Sequence, residues 1–164
     1  MKKKHTRLYN IFFPVWLLFA HPLLIAAALP INFVVDLAAI LWAMRPMRIE
    51  NKKEIVKSVI WRSWGFGFAA DIIGAALLLV LSQFTPTYMI FGQDLYLNPF
   101  RSVTATLIMA AVVALVGWLI YLFNRKLVYN RTSLTDAQQK RICLFLAIVT
   151  APYLFFIPTI WFIV

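Results

Sequence analysis

Apolar residues run in long stretches along this chain, over positions 8–29, 31–49, 64–84, 102–123 and 142–164, with short polar or basic segments between them. Each stretch reaches or approaches the roughly 20 residues that a helix needs to cross about 30 Å of hydrocarbon. The runs are continuous rather than alternating, which argues for helices and against a β-barrel. The pattern predicts an all-α, polytopic integral membrane bundle of four or five crossing helices, one domain over 1–164. The first two stretches form either a short hairpin turning at Pro30 and Asn32 or one long helix kinked at His21-Pro22 and Pro30. The segment 50–63 has a different rhythm. Ile49, Val56, Val59 and Ile60 share one helical face, and Glu50, Lys53, Glu54 and Lys57 are spaced for ion pairs on another, so it reads as a surface helix.

Composition agrees with the pattern. At 63% hydrophobic and 13% charged, 164 residues cannot cover a water-soluble globule with polar surface. The basic start and the apolar stretch from Ile11 resemble a secretory leader, but no clean small-residue cleavage site follows, so the first segment is expected to remain as a membrane helix.

Charge turns the pattern into a topology. The net charge of +10 is concentrated in Lys2 to Arg7, in Arg45 to Arg62 and in Arg125 to Arg141. The positive-inside rule puts these clusters in the cytoplasm, with the N-terminus, and puts 83–100 outside, with the C-terminus external in a cell membrane. Anionic inner-leaflet lipids are the expected partners of the 50–63 helix. No nucleic-acid partner is expected, because charge clustered at helix ends is what insertion alone requires. Arg101 departs from the rule and opens a helix on the outer side, where it is a candidate contact for an anionic lipid or substrate head group, or a partner for Asp94.

The chemistry lies within the apolar runs. Asp36 and Asp71 place carboxyl groups where hydrocarbon is expected, which costs roughly 2.5–3.5 kcal/mol at mid-membrane and marks an ion, proton or substrate path by default. Asn32 and His21 are the neighbouring polar groups able to complete such a site. Asn32 to Ala39 aligns without gaps on Gly67 to Gly74, sharing a phenylalanine and the aspartate three residues later, as in the inverted repeats of many transporters. Gly65, Gly67, Ala70, Gly74 and Ala75 make the Asp71 helix a close-packing central one, and Ala105 to Gly117 give the next helix a similar face, where Thr104 and Thr106 can donate hydrogen bonds. Trp61, Trp64, Trp118, Tyr121, Tyr129 and Trp161 fall near helix ends, as interfacial anchors do. Cys143, the single cysteine, excludes an intramolecular disulfide and sits beside Arg141 at an expected membrane edge.

No HExxH, GxSxG, Walker loop, GxGxxG or paired-cysteine motif is present, so no catalytic roles, cofactor or metal site are assigned. The expectation is a small membrane protein that binds or translocates a cation, proton or small solute through its carboxylates, as a homo-oligomer or with a membrane partner protein. The alternatives are a non-catalytic accessory, assembly or immunity-type subunit whose aspartates dock a partner's cation and, third, a lipid-modifying enzyme.

Overall fold

The computed structural model describes residues 22–84, 95 and 98–158, and these are helical with no strand among them. The four long helices are α1 (Pro22–Met44), α2 (Lys52–Phe84), α3 (Val103–Phe123) and α4 (Asp136–Val149). Among the described residues, three segments are long and apolar enough to cross a membrane, Lys52–Leu81, Val103–Arg131 and Asp136–Phe156; Leu29–Met44 is a shorter apolar helix. Contacts join α1 to α2, α2 to α3, α3 to α4 and α4 back to α1, so the helices close into a ring around one core.

Each helix turns a stripe of apolar residues inward. On α1 the buried positions are Asp36, Ala39, Ile40, Ala43 and Met44, spaced three and four apart; one carboxyl group thus occupies a place in an apolar stripe. On α3 they are Ala105, Met109, Val112, Val113, Val116, Gly117 and Ile120. The outward faces carry Val34, Trp42, Trp61, Ile72, Leu107, Trp118, Leu144 and Ile148, a surface suited to lipid rather than water.

Several boundaries differ from those expected. Pro30 lies inside α1, which runs through it, so no hairpin turn forms at Pro30 and Asn32. A proline within a membrane helix is tolerated when packing re-satisfies the carbonyl it leaves free. The other half of that hairpin, including His21, falls outside the described residues. The chain turns instead over 45–51, where Asn51 takes a left-handed φ of 56°, a conformation asparagine adopts readily.

The stretch 50–63 is not a separate element either. Helix α2 is unbroken from Lys52 to Phe84, and Ile55, Val56, Val59 and Ile60 are buried in the protein core, so the apolar face expected to lie on lipid packs against the bundle. Among the described residues, Glu50, Lys53, Glu54 and Lys57 form no ion pair. Helix α4 starts six residues before the apolar run, because Thr135 and Gln138 form a reciprocal capping box. It stops at Val149 rather than continuing to Val164: Pro152 has no N–H to extend the ladder, and the chain passes into a short 3-10 turn, Tyr153–Phe156.

Two close approaches set the packing. A Cβ built on Gly74 would collide with Val116 of α3 and press on Phe155, and one on Gly117 would touch the Ala147 carbonyl of α4. Gly65 faces open space. Gly74→Ala should therefore destabilise the bundle by about 1–3 kcal/mol, the usual cost of overpacking, while Gly65→Ala should leave it unchanged. Thermal unfolding of the two variants in detergent checks this.

Candidate functional site: carboxylates between the first two helices

The short turn makes α1 and α2 antiparallel neighbours, and side chains lean toward the N-terminus of their own helix. Asp36 thus leans away from the turn while Asp71 leans back toward it, and the two carboxyl groups converge. Asp36 is 7% exposed, and its Oδ2 lies 3.7 Å from where Gly67 would carry a Cβ. Gly67 is one helical turn before Asp71, and the two carboxyl groups are within electrostatic range of each other. Counting along α2 from Arg62, Gly67 lies about 8 Å and Asp71 about 13 Å further in.

Other polar groups surround the pair. Trp64 shares the α2 face of Gly67 and Asp71, and its ring stands edge-on to Phe33 of α1 at 6.1 Å. Tyr129, beyond the end of α3, is fully buried and within electrostatic range of Asp36. Among the described residues, three buried atoms have no hydrogen-bond partner: Trp64 Nε1, Asp71 Oδ1 and the Tyr129 hydroxyl. Two donors and an acceptor are thus left unsatisfied in one region of the core. Each such group costs about 1–3 kcal/mol when left unsatisfied. Among the described residues no cluster of three or more histidine, cysteine or acidic side chains could hold a metal ion, so any bound cation would rely on two carboxylates with neutral oxygens.

The other expected site residues are distributed unevenly. Asn32 is half-buried one turn before Asp36 on α1, on the same side of the helix. His21 lies outside the described residues. Arg101, itself exposed, closes the 3-10 turn Pro99–Arg101 at the far end of α3 from Asn124, and is not brought to the carboxylates. Nor does Thr106 reach a neighbouring helix; its hydroxyl donates to the carbonyls of Pro99 (2.7 Å) and Ser102 (3.0 Å). Cys143 faces the core and is fully buried.

Two polar features escaped the sequence reading. Ser63 and Asn124 are both fully buried, and the Ser63 hydroxyl donates to Asn124 Oδ1 at 2.6 Å while Asn124 Nδ2 donates to the Ile120 carbonyl at 2.9 Å. This pins α2 to the end of α3, just where the π turn Asn124–Val128 begins. Both residues adjoin the ends of apolar runs, where polarity is ordinary and gives no signal. Trp64 and Tyr129 were expected as interfacial anchors and instead point inward, whereas Trp61 and Trp118 are exposed as anchors should be. Nearby, Arg125 ties α3 to α4 through Asp136 at 2.7 Å, and Lys140 joins the same carboxylate at 2.9 Å.

No known protein family, curated protein or solved structure matches this chain.

Asn124→Ala should cost more than Ser63→Ala, about 2–4 against about 1–3 kcal/mol, because it removes two buried hydrogen bonds, to Ser63 and to the Ile120 carbonyl, where Ser63→Ala removes one. Denaturant titration of the two variants in micelles would show that order.

Proposed function

We propose that this chain is a multi-pass membrane protein in which Asp36 and Asp71 bind a cation or proton and pass it through the bundle. The observation that carries the reading is the buried Oδ1 of Asp71, which has no hydrogen-bond donor, on the face that also receives the inward-directed carboxyl group of Asp36. A carboxyl oxygen withdrawn from water and given no donor is completed by a proton or a cation, and a second carboxyl beside it strengthens that demand. Asn32 supplies an uncharged oxygen one turn away, and Tyr129 and Trp64 can orient water around the pair.

In this reading the edge carrying Arg45, Arg62, Arg125, Lys140 and Arg141 is cytoplasmic, and α4 leads outward toward an external C-terminus. Helices α1 to α4 make four crossings, and five follow if the residues before Pro22 add one. The site then lies in the inner half of the membrane, with Tyr129 on its cytoplasmic side. A homo-oligomer would supply the remainder of the path, since four slender helices with a packed core leave little room for one. An accessory or immunity-type subunit, by contrast, would turn its carboxylates outward to meet a partner's cation. The inward direction of Asp36 favours the pathway reading.

Purified protein in liposomes should pass protons, sodium or potassium down an imposed gradient, and Asp36→Asn or Asp71→Asn should reduce that flux at least tenfold while the protein stays folded. Folded wild-type protein without flux under all three gradients would refute the pathway.

A further inference from the structure

A second feature lies apart from the carboxylates, where the end of α1 meets the second turn of α4. A cleft of about 520 Å³ opens there, lined by Trp42, Ala43, Arg45, Pro46, Arg141 and Phe145. It is large enough for a phosphate-bearing head group and the first part of an acyl chain. Its walls divide by chemistry. Trp42 and Phe145 meet edge to face at 5.6 Å and form an aromatic side, and Trp42 is 61% exposed on the outward surface. Arg45 and Arg141 bring two guanidinium groups, and no acidic residue lines the cleft.

The two arginines are uncommitted. Asp136, the nearest acid along α4, is taken by Arg125 and Lys140, and neither Arg45 nor Arg141 has an ion pair or side-chain hydrogen bond among the described residues. Two exposed like charges sharing one cleft repel each other unless an anion lies between them. Guanidinium is the cation best suited to phosphate, since its planar fork bonds two oxygens at once. The aromatic side opens toward the apolar outer surface that bears Leu41, Leu144 and Ile148, so a ligand seated here would have its charged end against the arginines and its apolar end along the helices.

We infer that the Arg45–Arg141 cleft binds the phosphate head group of an anionic phospholipid, with the first part of the acyl chain against Trp42 and Phe145. A soluble phosphate would use the same guanidinium groups but would gain nothing from the aromatic wall, and this separates the two sources. The site is independent of the carboxylate pair and would survive the failure of the pathway reading.

The test is thermal unfolding of the full chain in neutral detergent, with added phosphatidylglycerol, phosphatidylcholine or inorganic phosphate. Phosphatidylglycerol should raise the unfolding temperature by several degrees in a saturable manner, and the other two should not. The double variant Arg45→Gln/Arg141→Gln should lose at least three quarters of that shift, while Lys53→Gln/Lys57→Gln, which removes the same charge from an exposed face elsewhere, should keep it. If the Arg45→Gln/Arg141→Gln protein does not fold, Trp42→Leu should still weaken the lipid effect several-fold. No shift with phosphatidylglycerol, an equal shift with inorganic phosphate, or an undiminished shift in the arginine double variant would each overturn the inference.

Discussion

The approach of Asp36 on α1 to Gly67 on α2 is the contact around which the carboxyl groups are arranged. Asp36 occupies a position in the buried stripe of α1 that would otherwise be apolar, and the surface of α2 opposite it is the small face at Gly67. A Cβ at Gly67 would stand at ordinary van der Waals distance from Asp36 Oδ2, and anything longer would occupy the room beside it. Asp71 follows one turn later on the same face of α2, which brings the second carboxyl group toward the first. Around this contact Trp64, Asp71 and Tyr129 each keep one buried polar atom with no hydrogen-bond partner among the described residues.

The rest of the bundle holds this contact in place. Gly74 and Gly117 set α2 against α3 and α3 against α4 at short range, so the helices have little freedom to slide. The Ser63–Asn124 hydrogen bond fixes the level of α2 against α3 on the side nearer the basic edge, and the Arg125–Asp136 pair joins α3 to α4 beyond it. Small residues permit the approach, and buried polar pairs select one register from the several that an apolar seam would accept.

Much of the architecture could be read from the order of residues, and the failures have physical causes. Length and continuity of the apolar runs foretold helices, and the 102–123 run contains α3, which Ser102 caps and which the π turn Asn124–Val128 follows without a break. The aspartates stood out because charge is rare in such runs, and their approach could be imagined from the short alignment of two segments. The hairpin at Pro30 was misjudged because a proline's effect depends on neighbours that a sequence does not display. The 50–63 segment was misplaced because an amphipathic face looks the same whether it meets lipid or a protein core. Trp64 and Tyr129 went unnoticed as interior groups for a related reason: an aromatic residue near a helix end fits a membrane interface, and only the packing tells which way the ring points.

The central claim is that Asp36 points across the helix pair at Gly67 and not into lipid. Cysteine pairs test it directly in the Cys143→Ser background, treated in native membranes with a short bis-alkylating thiol reagent. Asp36→Cys/Gly67→Cys should crosslink rapidly and nearly completely, while Val34→Cys/Gly67→Cys, with its first cysteine on the outward face of α1, should not. Crosslinking through position 34 with none through position 36 would mean that α1 is rotated, that Asp36 faces lipid or a partner, and that the two carboxylates do not form one site.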